Sequence, residues 1–127
     1  MAHEQVKQIT ERHVALWSAH DAHAVADLYA EDCVYEDIPQ RLSMQGKQAV
    51  VKYAQEMFAA FPDITIRLRS LCVSVDHSAR EYVMTGTHAA TGKSVSVAGV
   101  SILEFRGTEV VRNTDYYDLS SLIRQLE

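Results

Sequence analysis

An aspartate in the last strand-like segment of the chain has neighbours that suit proton-transfer chemistry. In residues 109–118, the alternation of side chains along a strand places four residues on one face: Val111, Asn113, Asp115 and Tyr117. This mixture of polar and apolar groups is typical of a cavity wall. Desolvation by apolar neighbours favours the protonated form of a carboxyl group, which suits a group that takes and returns protons near neutral pH. The alternatives are that Asp115 faces water or pairs with a nearby arginine.

A second aspartate, Asp37, lies near the end of a shorter strand-like segment at residues 33–38. Alternation places it on the same face as Cys33 and Tyr35. An aspartate shortly before a proline, here Pro39, also commonly organises a turn. The pattern therefore leaves two interpretations of Asp37 open, a second proton acceptor or a turn residue.

Two histidines are further candidates. His13 lies in the apolar stripe of the first predicted helix, four residues from both Ile9 and Trp17. A neutral imidazole there could donate a hydrogen bond to a substrate carbonyl or enolate, or it could be a core histidine bonded to a backbone carbonyl. His88 shares strand parity with Met84 and could polarise a carbonyl, although packing at the sheet edge is the favoured interpretation.

Three helices and five strands are predicted to position these side chains. Helical spacing of apolar residues predicts helices over residues 4–19, from the N-cap Asp21 through Tyr29, and over residues 47–61. Period-two patterns predict strands over residues 33–38, 64–75, 80–90, 94–105 and 109–118, with a bulge near Ser70. Residues 119–126 are typical of a closing helix. This order predicts an α+β fold, in which a cone-like curved antiparallel or mixed sheet wraps over three N-terminal helices and encloses a cavity.

Length and composition exclude several classes of protein. The chain has 127 residues, 47% hydrophobic and 23% charged, which predicts a single globular domain over residues 1–127. Its net charge of −5 argues against nucleic acid and anionic membranes as partners. The polar N-terminus and the lack of an apolar stretch of roughly 18 residues predict a cytoplasmic protein. In that compartment Cys33 and Cys72 are expected to be buried free thiols.

Motifs along nearly the whole chain resemble one family. They are AEDCVYEDIP at 30–39, QGKQAV at 45–50, AAFPDITI at 59–66, TGTH at 85–88, ATGKSVSVAGVSILEF at 90–105 and DYYDLSSLIRQL at 115–126. Their order and spacing resemble the SnoaL-like branch of the nuclear-transport-factor-two-like superfamily, which includes polyketide cyclases and is related to ketosteroid isomerases. The resemblance implies the same cone-like fold. It is less specific for the reaction, because this fold hosts enzymes, binding proteins and scaffolds.

The resemblance also implies roles for individual residues. It places the catalytic aspartate of the cyclases at Asp115 and the aspartate base of the isomerases at Asp37. His13 occupies the position of the oxyanion-binding tyrosine of the isomerases, and Ser101 that of their protonated aspartate donor. Because both isomerase donors are replaced, the resemblance argues against authentic steroid isomerisation.

The sequence therefore predicts a cofactor-independent acid–base enzyme that acts on a small apolar carbonyl compound through an enolate, by aldol cyclisation or isomerisation. The expected catalytic residues are Asp115, Asp37 and His13, and His13 with Asn113 or Ser101 is expected to stabilise the enolate charge. The expected substrate-binding residues are Asn113, Ser101, His88, Trp17, Tyr53, Met84 and Tyr117. No motif for a cofactor or a metal is visible, so none is expected.

Two alternatives remain at this stage. One is a non-catalytic small-molecule-binding or dimerisation module, and the other is a ketosteroid-isomerase-like enzyme with altered oxyanion donors. An apolar outer stripe that includes Val100 and Ile102 would otherwise face water, so a homodimer is also predicted.

Overall fold

The computed structural model describes residues 2–127, which form four helices and one six-stranded sheet. The helices are α1 (Ala2–Ser18), α2 (Ala22–Asp27), α3 (Lys47–Ala60) and α4 (Leu119–Leu126). The strands are β1 (Tyr29–Asp37), β2 (Leu42–Gln45), β3 (Thr65–Val73), β4 (His77–Thr87), β5 (Ser94–Arg106) and β6 (Glu109–Tyr117). Their order is β2-β1-β6-β5-β4-β3, and β1 pairs with β6 in parallel while the other neighbours are antiparallel. The predicted α+β class with a mixed sheet is confirmed.

The core lies where the apolar stripes of the helices meet one face of the sheet. Val6 of α1, Val25 of α2 and Val50 of α3 belong to the same buried cluster as Leu103 of β5 and Val110 of β6. All five are at most 1% exposed. Helical spacing on one side and strand alternation on the other therefore bury their apolar side chains against each other.

Register shifts interrupt the sheet at three places. The shift between Leu68 and Ser70, opposite β4, confirms the predicted bulge. Another lies between Tyr29 and Val34 of β1, opposite β6. The third lies between Glu104 and Phe105 of β5, where β6 has the extra residue Val111. One inserted residue reverses the parity beyond it. The prediction that Val111 shares the inward face of Asn113 is therefore wrong, and the buried residue at that end of β6 is Val110.

The start of β1 and the whole of β2 also differ from the prediction. α2 ends at Asp27, so Tyr29 belongs to β1 and not to the preceding helix. The Tyr29 side chain is fully buried, and its ring stacks on Tyr35 with 6.2 Å between the ring centroids. These tertiary contacts outweigh the local helical pattern. β2 escaped prediction because it is a short edge strand of mostly exposed residues, without an alternating pattern.

The cysteines share their chemistry but not their environment. Both are free thiols, and Cys33 is buried as predicted. The prediction that Cys72 is buried is wrong, because beyond the bulge near Ser70 it occupies the exposed face of β3.

Within residues 2–127, none of the helices combines the length and apolar character needed to cross a membrane.

Candidate active site

A cavity of about 480 Å³ lies between the sheet, α1, α3 and α4. Its wall is mainly apolar and aromatic, with Trp17 from α1, Met57 from α3, Met84 from β4 and Leu122 from α4. Leu119, Ile123 and Leu126 extend the contribution of α4. A cavity of this size and character is typical of sites for small organic ligands.

Asp115 is the carboxylate of this wall, and three neutral groups donate hydrogen bonds to it. Its Oδ2 accepts from Tyr35 Oη at 2.5 Å, while its Oδ1 accepts from Ser101 Oγ at 2.5 Å and from Asn113 Nδ2 at 2.7 Å. Ser101 lies directly opposite Asp115 in the β5–β6 register. The Asp115 side chain lines the cavity although the residue is only 7% exposed. Three donors stabilise the ionised carboxylate where burial alone would oppose a charge.

A chain of hydrogen bonds continues from Asn113 into the core. Asn113 Oδ1 accepts from Tyr29 Oη at 2.7 Å, and Tyr29 Oη lies 2.8 Å from His13 Nε2. The indole Nε1 of Trp17 also donates to His13 Nε2, at 3.4 Å. Burial, and then the nearby Arg80 cation, hold the pKa of His13 well below its usual range. The imidazole is therefore neutral.

Asp37 organises a second set of polar groups. It is fully buried and accepts hydrogen bonds from the backbone N and Nε2 of Gln40 at 3.1 and 2.9 Å. The hydroxyls of Tyr53 and Tyr117 donate to its Oδ2 at 3.2 and 2.9 Å. These three partners line the cavity, whereas Asp37 stands behind them. Burial first, with carboxylates such as Asp37 next, raises the pKa of both tyrosines, which stay protonated donors.

The structure divides the predicted site residues into two groups. Those that line the cavity are Asp115, Trp17, Tyr53, Met84, His88 and Tyr117. Those that stand behind its wall, each 0% exposed, are Asp37, His13, Asn113 and Ser101. The His88 ring packs against Phe61 with 5.3 Å between ring centroids, and its Nδ1 lies 3.0 Å from Thr91 Oγ1.

Several residues of the site were not predicted. Tyr29 was assigned to a helix, and Tyr35 was placed only on the same face as Asp37. Arg80 of β4 lines the cavity with 3% exposure, and its Nε and Nη1 have no hydrogen-bond partner in the described part of the chain. A signal existed for Arg80, because strand alternation places it on the face of Met84. The contribution of α4 had no such signal in the sequence.

No cluster of three or more His, Cys, Asp or Glu side chains within residues 2–127 could hold a metal ion.

A sequence model of the SnoaL-like polyketide cyclases matches residues 7–126. The chain belongs to the SnoaL-like polyketide cyclase family. A comparison with curated proteins gives no match.

Several solved structures have a similar fold. A Catenulispora acidiphila protein with a ketosteroid isomerase-like fold, in complex with trimethylamine, has a TM-score of 0.87 and 25% identity over 92% of this chain and 90% of its own. A candidate SnoaL-like polyketide cyclase from Jannaschia has a TM-score of 0.89 and 13% identity, covering 98% of this chain and 92% of its own. AclR, a candidate hydroxylase from Streptomyces galilaeus, has a TM-score of 0.84 and 24% identity, covering 99% of this chain and 86% of its own. The last two likenesses concern the fold alone.

The neutral, buried His13 of this SnoaL-like chain predicts a loss of stability in acid. Its pKa is lower in the folded protein than the value of about 6.5 in an unfolded chain, so below that pH the unfolded state binds the extra proton. The contribution of His13 is therefore complete above about pH 6.5 and is lost as the pH falls, at up to about 1.4 kcal/mol per pH unit. The substitution His13→Gln should reduce the difference in unfolding free energy between about pH 7 and about pH 5.5, measured by urea denaturation.

His77 provides the matched control with the opposite sign. Hydrogen bonds to Asp76 and then Glu104 raise its pKa, so its contribution is present in acid and is lost as the pH rises through the folded value. His77→Gln should therefore steepen the loss of stability in acid. Equal pH dependence in the wild type and in His13→Gln would contradict a neutral His13.

Proposed function

We propose that this SnoaL-like protein is a cofactor-independent acid–base enzyme that acts on a small apolar carbonyl compound through an enolate. The proposed base is Asp115. The observation that supports this function is the position of a buried carboxylate in the wall of an apolar cavity, stabilised by Tyr35, Ser101 and Asn113. A carboxylate in this position can accept a proton directly, and the cavity wall shields it from bulk water, as carbon-acid chemistry requires.

The proposed reaction begins with transfer of a proton from the carbon beside the substrate carbonyl to Asp115. The electron pair of the broken C–H bond moves toward the carbonyl oxygen and forms an enolate. In an aldol cyclisation, the enolate carbon bonds to a second carbonyl carbon of the same molecule, and the resulting alkoxide takes a proton back from Asp115. In an isomerisation, Asp115 returns the proton to another carbon. The same base serves both reactions, and the substrate decides between them.

A hydroxyl group of the cavity wall is the proposed donor to the enolate oxygen. Tyr82 lines the cavity, and burial raises its pKa, so that it remains protonated. A protonated donor that faces a developing oxyanion lowers the barrier.

The residues behind the wall take a different proposed role. His13, Asn113 and Ser101 were predicted to stabilise the enolate, but each is fully buried behind the cavity wall. We propose that Asn113 and Ser101 position Asp115 directly, and that His13 acts on it through Tyr29. In the same way we propose that Asp37 positions Tyr53 and Tyr117.

A non-catalytic small-molecule-binding module is the second candidate function. It is favoured by the same placement of His13, Asn113 and Ser101, because this removes the three predicted oxyanion donors from the cavity surface. In such a protein the cavity would bind an apolar ligand without converting it.

Replacement of Asp115 distinguishes the two candidates. Proton exchange at the carbon beside the carbonyl of a bicyclic ketone such as 2-tetralone can be followed by NMR in heavy water. The wild type should accelerate the exchange, and Asp115→Asn should slow it by about 10²–10⁴-fold, because a positioned base contributes that much. Asp32→Asn is the control, since Asp32 is an exposed acid paired with Arg106.

Equal exchange rates in the wild type and in Asp115→Asn would contradict the proposed base. Binding of the ketone without any exchange by the wild type would favour the binding module.

We also propose a homodimer through the outer face of the sheet. The β5–β6 register places Val100 opposite Tyr116 and Ile102 opposite Thr114, and Tyr116 is 46% exposed. Sedimentation at about 10 μM should give twice the chain mass of 14.2 kDa, and Tyr116→Lys should shift the protein toward the monomer because it adds charge to this face. A wild-type monomer would contradict the dimer.

The cytoplasmic location stays a prediction.

A further inference from the structure

Arg80 is a buried cation at the cavity wall, and it takes part in no ion pair within residues 2–127. It is 3% exposed and lines the cavity. Neither Nε nor Nη1 has a hydrogen-bond partner within residues 2–127, although these nitrogens together carry three N–H donors. The guanidinium carbon lies 5.1 Å from the centre of the Tyr82 ring. That contact favours a cation, but it supplies no acceptor for the free N–H groups.

Neither buried acid of the site is hydrogen-bonded to Arg80. Asp115 is hydrogen-bonded to Tyr35, Ser101 and Asn113, all of which are neutral. Asp37 likewise uses neutral partners, namely Gln40 and two tyrosines. None of the ion pairs found in residues 2–127 includes Arg80.

The titratable groups around Arg80 are also uncharged or already engaged. Arg80 acts electrostatically on His13, Tyr29 and Tyr82. Burial lowers the pKa of His13 and raises the pKa of both tyrosines, so all three stay neutral. The positive charge at the cavity wall is therefore available to a ligand.

We propose that Arg80 is the anion-recognition group of this cavity and that the ligand carries a carboxylate on an apolar ring body. This inference rests on the proposed function and names the class of its substrate, an acidic carbonyl compound. A guanidinium group matches a carboxylate in both charge and donor geometry. The aromatic and aliphatic wall accommodates the ring, and its low polarity strengthens the charged hydrogen bonds. Asp115 makes its hydrogen bonds to Tyr35, Ser101 and Asn113, so it leaves the Nε and Nη1 donors of Arg80 without a partner.

A pair of probes that differ in charge and share a ring tests this assignment. Calorimetric titration at about pH 7.5 compares 2-naphthoate with its neutral methyl ester. The wild type should bind the acid about 10- to 100-fold more tightly than the ester, as expected for hydrogen bonds between charged groups. Arg80→Met should abolish this preference and leave the affinity for the ester unchanged. Arg80→Lys, which keeps the charge, should retain a preference for the acid.

An exposed arginine of the same sheet provides the control. Arg69→Met removes an equal charge from β3 at an exposed position and should leave the preference unchanged. Circular dichroism verifies that each variant is folded. If Arg80→Met does not fold, the wild-type ratio and Arg80→Lys decide the test.

Three results would overturn the assignment: equal affinities for acid and ester in the wild type, an unchanged preference in Arg80→Met, or no binding of either probe at about 1 mM. The titration is also run with Asp115→Asn, in which the preference for the acid should persist. The binding preference can therefore be measured even if the proposed catalysis is wrong. The exchange assay likewise tests the catalysis even if the preference for the acid is absent.

Discussion

A buried carboxylate must keep its charge without a cation beside it, and the arrangement of the central strands satisfies that constraint. The donors to Asp115 come from β1, β5 and β6, which are adjacent in the sheet. Tyr35 is available because β1, although early in the chain, pairs in parallel with β6. Ser101 is available because antiparallel pairing places it directly opposite Asp115. The mixed topology therefore determines the chemistry of the site as well as the shape of the sheet.

The use of neutral donors has consequences for the rest of the cavity. His13, Tyr29 and Asn113 form a chain of hydrogen bonds that ends at Asp115, so the first helix contributes a buried residue to the site as well as Trp17 in its wall. The cation that could have paired with Asp115 remains free, because Arg80 has no acceptor on Nε or Nη1 within residues 2–127. A cavity in which the carboxylate has hydrogen-bond donors and the guanidinium lacks acceptors is suited to an acidic ligand.

Much of the fold follows from local patterns, whereas the site depends on long-range pairing. Apolar spacing predicted α1, α3 and α4 closely, and parity predicted the bulge near Ser70. Parity failed at Val111 because the register shift between β5 and β6 has no local signature. Tyr29 followed a helical pattern, yet contacts with residues more than 80 positions away hold it in a strand. The hydrogen bonds to Asp115 span up to 80 positions, and their pairing becomes visible only when the strand order is known.

Tyr35 and Asp115 should form a strong hydrogen bond in the folded protein, and a double-mutant cycle measures it directly. Unfolding free energies are determined by urea denaturation for the wild type, Tyr35→Phe, Asp115→Asn and the double variant. The bond predicts a coupling energy of at least about 1 kcal/mol between the two substitutions. Effects that add to within about 0.3 kcal/mol would contradict the account.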